Sequence, residues 1–160
     1  MDEIVFMRHG LAFSVQESGA RSDAGRKLSP EGRTQIETSS KRLMELGFSP
    51  GIIISSPFLR AVETADMSAT LFPGAKRVKE PALVSASQPA DIFKALTSDA
   101  AGIPSVLVIG HQPTLGILCG LLLKTAGPYF STGSFAYLKL PGGLGSDRAE
   151  LADFFSPEPF

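Results

Sequence analysis

Apolar side chains are concentrated in four short runs along the chain, at residues 3–7, 52–55, 105–109 and 135–140. The first three runs are continuous stretches of β-branched or large apolar residues, a pattern typical of strands that are buried on both faces. The fourth run mixes aromatic and aliphatic residues over the length of a strand. We therefore predict four strands, the first three of them inside a largely parallel sheet.

Segments with helical patterns lie between these runs, at residues 30–46, 58–71, 90–97 and 113–124. The first of them has Ser29 as an N-cap, Pro30 at the first helical position and Gly47 as a stop. A final strand is expected at residues 149–155, paired with residues 135–140 through the turn sequence PGGLGSD. This alternation predicts an α/β fold: a three-layer sandwich with a mostly parallel central sheet and helices on both faces.

One long segment fits neither pattern. Residues 11–27, LAFSVQESGARSDAGRK, are mainly small and polar and show no clear periodicity. Loops of this length in compact domains are usually functional or mobile. We expect this loop to have such a role.

The composition is that of an ordinary globular protein. The 160 residues are 43% apolar and 19% charged, which suits a single domain spanning residues 1–160. The formal net charge of −1 gives no reason to expect nucleic acid or a membrane surface as a partner. The oligomeric state is not specified by the sequence, and a monomer is the favoured expectation.

The opening residues do not resemble a signal peptide, and the longest later apolar stretch does not resemble a membrane span. The opening MDEIVF carries two acids and only a short apolar run, unlike a signal peptide. The stretch at residues 115–123 is interrupted by glycines and is too short to cross a bilayer. Cys119 is the single cysteine, so an internal disulfide is excluded and a buried core position is expected. These features predict a cytoplasmic protein.

Charged and titratable residues follow three of the predicted strands. Arg8 and His9 come directly after the first strand, Arg60 lies in the first turn of the helix after the second, and His111 follows the third. Ligands of open α/β sheets bind beyond the carboxyl ends of the strands. Each residue alone would pass for a structural or surface group. Both histidines of the chain and two arginines at one sheet edge, however, predict a local cationic pocket.

Such a pocket suits a phosphoryl group. The planar fork of arginine matches phosphate oxygens, and helix N-termini after residues 56 and 110 would add backbone donors. A neutral imidazole is also a good nucleophile near pH 7. The residue types therefore point to covalent catalysis through a phosphohistidine, with arginines stabilising the phosphoryl group during transfer.

Three motifs carry a resemblance to a known family. FMRHG, SSPFLRAVETA and VLVIGHQP resemble, in order and spacing, the signatures of the histidine phosphatase superfamily, which has the phosphoglycerate mutase-like fold. The short length, SPFLRA followed by VETA, and SDAGRKLSPEG in the long loop are similar to SixA-type phosphohistidine phosphatases. The resemblance implies that His9 is the nucleophile, that Arg8, Arg60 and His111 complete the phosphate pocket, and that Arg26 adds a loop arginine.

The chain departs from the larger family members at the proton donor. Those members carry a glutamate after the second arginine motif, and the matching stretch here is VKEPALV. Glu80 stands two residues early in it, with Ala82 nearer the expected place. The SixA-like alternative is an acid in the first loop, Asp23, which is our preferred general acid. A turn residue in SDAG is the competing interpretation of Asp23.

The resemblance and the residues together give a first hypothesis of a metal-independent phosphatase without a cofactor. Its expected substrate is a phosphorylated protein histidine, because no sizeable cap segment is inserted that would close the site. The first alternative is a phosphomonoesterase for a small phosphorylated metabolite. A second alternative is a non-catalytic module that binds a phosphorylated ligand, although such a module would not need His9.

Overall fold

The computed structural model describes residues 1–84 and 87–157. They form a six-stranded sheet and five α-helices. The strands are β1 (Glu3–Arg8), β2 (Ile52–Ser55), β3 (Lys76–Lys79), β4 (Ser105–Gly110), β5 (Phe135–Lys139) and β6 (Glu150–Phe155). The helices are α1 (Val15–Ser18), α2 (Pro30–Glu45), α3 (Leu59–Leu71), α4 (Pro89–Asp99) and α5 (Thr114–Leu123). All the strands and long helices predicted from the sequence are present.

The strand order in the sheet is β3-β2-β4-β1-β5-β6. β3, β2, β4 and β1 run parallel to one another, whereas β5 and β6 are antiparallel additions at one side. The expected final strand is therefore real, and it pairs with β5 across the glycine-rich turn as predicted.

Two apolar clusters cover the two faces of the sheet. On one face, alternate strand residues such as Ile4 and Val106 pack against α4 and α5. On the other face, residues such as Val5 and Leu107 pack against α2 and α3. Because both faces are covered, the central strands need apolar residues at every position, which explains their continuous apolar runs. The sandwich of three layers predicted from the sequence is thus confirmed.

The structure differs from the sequence-based expectation at β3. Its sequence, KRVK, has no apolar run, and three of its four residues are exposed. It lies at the sheet edge and pairs only with β2. Edge strands are commonly short and charged because their unpaired backbone groups would otherwise pair with other chains, so a search for apolar runs misses them.

The long loop also contains regular structure that was not predicted. Ser14 and Glu17 form a capping box around α1, and a 3-10 turn follows at Asp23–Gly25. Helix α1 and this turn bring the loop back over the carboxyl ends of the strands, where Asp23 contacts Arg60.

Cys119 lies on α5, where it is fully buried as expected, and burial raises the pKa of its thiol to about 11. No helix in the described part of the chain combines the length and apolar character needed to cross a membrane.

Candidate active site

The register of the parallel strands brings the predicted residues to one level. Arg8 of β1 is paired with Gly110 of β4, and Ser55 of β2 is paired with Ile109. The backbone N–H of His9 donates to the Gly110 carbonyl at 3.2 Å. The residues that follow these three strand ends, predicted separately from the sequence, are therefore neighbours.

His9 is oriented by its own loop. Its Nδ1 lies 2.7 Å from the carbonyl oxygen of Gly10. A carbonyl can only accept, so Nδ1 carries the proton and Nε2 keeps its lone pair. The side chain is only 6% exposed. Burial, followed by the charges of His111, Arg60 and Arg8, lowers the pKa of His9 to about 3, against an opposing effect of the Gly10 hydrogen bond. The ring is neutral at pH 7.

Arg60 connects the nucleophile candidate to the first loop. Its Nε donates to His9 Nε2 at 3.2 Å, and its two terminal nitrogens donate to the backbone oxygen and Oδ2 of Asp23 at 2.8 and 3.1 Å. The guanidinium also lies 5.1 Å from the centre of the Phe58 ring. Arg60 is 7% exposed, and its burial lowers the pKa of the guanidinium while Asp23 raises it.

Asp23 is the counter-ion of this cluster. Besides Arg60, its carboxylate accepts from Arg26 Nη1 at 3.1 Å, and Arg26 is held in turn by the backbone oxygen of Phe13 at 2.7 Å. The hydrogen bond from Arg26, and then the hydrogen bond and charge of Arg60, lower the pKa of Asp23. The carboxylate is therefore ionised in this arrangement, and its side chain remains 57% exposed.

His111 lies beside His9, with ring centres 5.1 Å apart. Its Nε2 is 2.7 Å from the Ser56 hydroxyl. Burial, followed by the charge of Arg60, lowers the pKa of His111 to about 4, with Arg8 acting in the same direction and Asp23 against it. This ring too is neutral at pH 7.

Two buried nitrogens of the site have no hydrogen-bond partner among the described residues: Nδ1 of His111 and Nε of Arg8. Arg8 is held at its other end, where Nη1 donates to the Phe130 carbonyl at 2.9 Å. Buried polar atoms without a partner are rare in folded proteins. Both belong to residues that line the same cavity, which indicates that this site is built to receive a polar ligand.

These groups surround a cavity of about 190 Å³. Its lining consists of the predicted residues and several uncharged neighbours: Arg8, His9, Leu11, Ala12, Arg26, Arg60, His111, Gln112 and Thr132. Asp23 touches the cavity only through its two arginines. A larger cavity of about 420 Å³, between α4, α5 and the β5–β6 turn, contains none of the predicted site residues.

Glu80, the other candidate acid, is held elsewhere. Its Oε1 accepts from the backbone N–H of Ala82 at 2.9 Å, and its carboxyl group hydrogen-bonds with Asp99. It is absent from the cavity lining. Of the two acids left open by the sequence, the geometry places Asp23 at the arginines and Glu80 away from them.

Sequence reasoning missed the residues that support the cluster. Thr64 Oγ1 accepts from Gly10 N–H at 3.2 Å and donates to the Arg60 carbonyl at 2.7 Å, and Gln35 Oε1 accepts from Leu11 N–H at 2.8 Å. A β-carbon on Gly10 would lie 2.6 Å from the Gly32 carbonyl, so only glycine allows this approach of the loop to α2. Of these residues, only Thr64 could have been identified from spacing, because it lies four residues after Arg60 and so on the same face of the helix.

Ser56, Gln112 and Thr132 were also missed. Ser56 and Gln112 each stand beside a motif residue and could have been marked by the strand-end rule. Thr132 enters from the segment before β5, far along the chain, and no sequence signal indicated it. Across residues 1–84 and 87–157, no group of three or more His, Cys, Asp or Glu side chains has an arrangement that could hold a metal ion.

Comparison with known proteins places this geometry in context. The family model described as histidine phosphatase superfamily (branch 1) matches residues 4–84. An uncharacterized protein of Picosynechococcus sp. is 30% identical over 119 residues, which cover 71% of this chain and 68% of that protein.

Two solved structures are similar over nearly the whole chain. The protein histidine phosphatase SixA complexed with tungstate superimposes with a TM-score of 0.81 at 27% identity, covering 97% of both chains. A putative phosphohistidine phosphatase SixA from Agrobacterium tumefaciens gives a TM-score of 0.79 at 21% identity over 98% of both chains. These similarities confirm the phosphoglycerate mutase-like fold and the SixA-type resemblance predicted from the motifs.

Proposed function

The chain belongs to branch 1 of the histidine phosphatase superfamily, and from this premise we propose that it is a phosphatase acting through a phosphohistidine at His9. The proposed substrate is a phosphorylated protein histidine. In this proposal the phosphoryl group is bound by Arg8, Arg26, Arg60 and His111. Asp23 is the general acid that protonates the leaving group.

The observation that carries the proposal is the hydrogen bond from His9 Nδ1 to the Gly10 carbonyl, at 2.7 Å. It keeps the proton off Nε2, whose lone pair accepts a hydrogen bond from Arg60 Nε at 3.2 Å and would become free to attack once Arg60 donates to the phosphoryl group instead. A neutral ring with its lone pair among arginines is suited to attack phosphorus. The low pKa of about 3 means that no proton has to be removed first.

The reaction divides into two steps. In the first, His9 Nε2 bonds to phosphorus, the bond from phosphorus to the leaving oxygen or nitrogen breaks, and the leaving group takes a proton from Asp23. In the second, water attacks phosphorus and gives a proton to the Asp23 carboxylate, the P–N bond breaks, and phosphate leaves with neutral His9 restored. Arg8 and Arg60 would stabilise the charge on the phosphoryl oxygens in both transition states.

Asp23 can supply the proton only after its own hydrogen bonds change. In the structure it is ionised because Arg26 and Arg60 donate to it. A phosphoryl dianion that takes over these donors would remove that stabilisation and add a negative neighbour, and both effects raise the pKa of a carboxyl group. Substrate binding would thus convert Asp23 from counter-ion to acid.

Three observations support a protein as the substrate. The cavity, at about 190 Å³, is smaller than the roughly 300–1,000 Å³ typical of sites that enclose a small molecule. Leu11 in the lining and Leu59 beside Arg60 expose 38% and 39% of their surface, so apolar groups are available to contact a partner. The similar SixA structure is described as that of a protein histidine phosphatase.

A phosphomonoesterase for a small metabolite is the second candidate. It is favoured by Gln112 and Thr132 in the lining, since their side chains could hydrogen-bond to the non-phosphoryl part of a small substrate. A non-catalytic binding module is disfavoured by the orientation of His9, which a pocket used only for binding would not need.

Trapping the intermediate tests the proposal. The protein is mixed rapidly with a phosphohistidine protein, quenched in alkaline denaturant and mapped by mass spectrometry. We expect an acid-labile phosphate adduct on His9 that is lost in His9→Ala. An adduct on His111, or full activity in His9→Ala, contradicts the proposed mechanism. A higher kcat/KM for small phosphomonoesters than for phosphohistidine proteins would instead favour the metabolite.

A further inference from the structure

Ser56 is a fully buried serine directly after β2, beside the end of β4 that His111 follows. Its backbone N–H donates to the Ile109 carbonyl at 2.9 Å, which fixes its position at the edge of β4. Its hydroxyl oxygen accepts from the Phe58 N–H at 3.1 Å and lies 2.7 Å from His111 Nε2. The sequence motifs and the mechanism assign it no part.

The proton between Ser56 and His111 can sit on either side. If His111 Nε2 carries it, the Ser56 hydroxyl proton needs another acceptor, and none of the described residues supplies one. The His111 Nδ1 is buried and unpartnered in either arrangement, so the Ser56 hydroxyl is what distinguishes the two. If Ser56 donates to Nε2, the hydroxyl makes one hydrogen bond as donor and one as acceptor, and both are satisfied.

In this second arrangement the ring proton of His111 is on Nδ1, which is the one buried ring nitrogen left without a partner. We propose that Ser56 is a positioning residue that holds His111 in its Nδ1–H tautomer, so that Nδ1 donates a hydrogen bond to a phosphoryl oxygen. The tautomer stands on the structure alone, whereas its use toward a phosphoryl group rests on the proposed function.

The surroundings of His111 favour a neutral donor over a cation. Arg60 and Arg8 both oppose a positive charge on the ring, and Asp23 compensates only in part. A neutral N–H donor adds a hydrogen bond without adding a charge that these arginines would repel. His9 has its proton on Nδ1 too, because of the Gly10 carbonyl. The ring proton of His9 is then hydrogen-bonded to Gly10 and that of His111 to a phosphoryl oxygen, so the proton of the leaving group comes from another residue.

Nitrogen-15 NMR of the imidazole rings tests the tautomer directly, since the chain has only two histidines. Long-range ¹H–¹⁵N spectra distinguish protonation at Nδ1 from protonation at Nε2, and His111→Gln assigns the signals. We expect the Nδ1–H pattern for both rings in the unaltered protein. Ser56→Ala should shift His111 toward the Nε2–H form while His9 keeps its pattern.

Ser55→Ala is the matched control, because Ser55 is a buried neighbour whose hydroxyl does not contact His111. It should leave both rings unchanged. An Nε2–H pattern for His111 in the unaltered protein overturns the proposal, and this measurement does not depend on whether Ser56→Ala folds. An unchanged His111 pattern in a folded Ser56→Ala variant overturns it as well.

Kinetics test the role of the tautomer. Ser56→Ala should reduce kcat by roughly 10- to 100-fold, with little change in KM. This is less than the loss of about 10²- to 10³-fold on removing an oxyanion donor itself, because Ser56 acts through His111. Ser56→Thr should restore much of the activity, and Ser55→Ala should change it by less than about twofold by the same reasoning. Normal kcat in Ser56→Ala with an altered tautomer overturns the catalytic role. Absence of any phosphatase activity in the unaltered protein, with the expected NMR pattern, refutes the proposed function and leaves the tautomer assignment supported.

Discussion

Single residues of this site carry charges that oppose their proposed use, and Asp23 is the clearest case. A general acid must hold a proton, yet Arg26 and Arg60 keep Asp23 ionised in the structure. The contradiction disappears if the phosphoryl group competes for the same guanidinium donors. Asp23 would then affect substrate binding and proton transfer in opposite ways, which makes its substitution informative.

We expect Asp23→Asn to lower KM, because a counter-ion that competes with the substrate is weakened. It should also lower kcat for an alkyl phosphate by about 10²–10⁴-fold, the usual contribution of a positioned acid. An aryl phosphate, whose leaving group hardly needs a proton, should lose far less in the first step. Steady-state kinetics with both substrates measure the difference.

Glu80→Gln is the control for this prediction, because Glu80 lies outside the cavity lining. It should leave both substrates almost unaffected. The assignment of the acid is wrong if Glu80→Gln shows the loss that depends on the leaving group and Asp23→Asn shows none.

At the scale of elements, Asp99 at the end of α4 contacts Glu80, the residue after β3, through their two carboxyl groups. Burial raises the pKa of Asp99 to about 6, and the hydrogen bond and charge of Glu80 act in the same direction. One oxygen of Asp99, Oδ2, is buried and has no partner among the described residues. This junction is therefore more favourable when Asp99 is protonated.

The sign of the effect on stability follows from linkage. A carboxyl whose pKa is higher in the folded state binds more protons there than in the unfolded chain, so stability falls as pH rises through the range from 3.8 to about 6. Asp99→Asn removes this dependence. We expect it to increase the free energy of unfolding at pH 7.5, relative to the unaltered protein, by about 1 kcal/mol more than at pH 4, a value reduced from the full pKa shift for partial exposure.

Urea unfolding at the two pH values measures this change. Asp91→Asn is the matched control, since Asp91 is an exposed aspartate on the same helix. It should not gain stability as the pH rises. The prediction is contradicted if Asp99→Asn, compared with the unaltered protein, has a lower free energy of unfolding at pH 7.5 than at pH 4. That result would mean that the Asp99 carboxylate is stabilising.

At the scale of the whole molecule, a net charge of −1 conceals a strongly cationic site. Arg8, Arg26 and Arg60 all border one cavity, and Asp23 is the carboxylate that contacts two of them. A divalent cation in this cavity would be repelled by the arginines, and hydrogen bonds already occupy both ring nitrogens of His9 and one of His111. The charges required in the transition state are supplied by the chain.

We therefore predict that activity is independent of divalent metals. Turnover of an aryl phosphate should be unchanged after dialysis against EDTA, and added Mg²⁺ or Zn²⁺ should not increase it. Circular dichroism before and after dialysis controls for loss of fold. Loss of activity in EDTA that one particular metal restores would contradict the prediction.

The amino-acid sequence alone determined the layers of the fold and the central residues of the site. Short continuous apolar runs rich in β-branched residues are typical of strands covered on both faces, and residues at the carboxyl ends of such strands meet at one edge. Arg8, His9, Arg60 and His111 could be brought together on that basis. A prediction based on apolar runs also missed the edge strand β3, because its charged sequence contains no such run.

Only the tertiary structure decided what each of these residues contacts. The position of Asp23 at the arginines and of Glu80 away from them, the contact of Ser56 with His111, and the entry of Thr132 from the segment before β5 depend on how distant segments pack. Hydrogen bonds require distances within a few tenths of an ångström and specific directions, whereas a sequence pattern fixes only which face or edge a residue occupies. The protonation of both imidazoles was likewise decided by the fold, because it results from burial and from charges supplied by other elements.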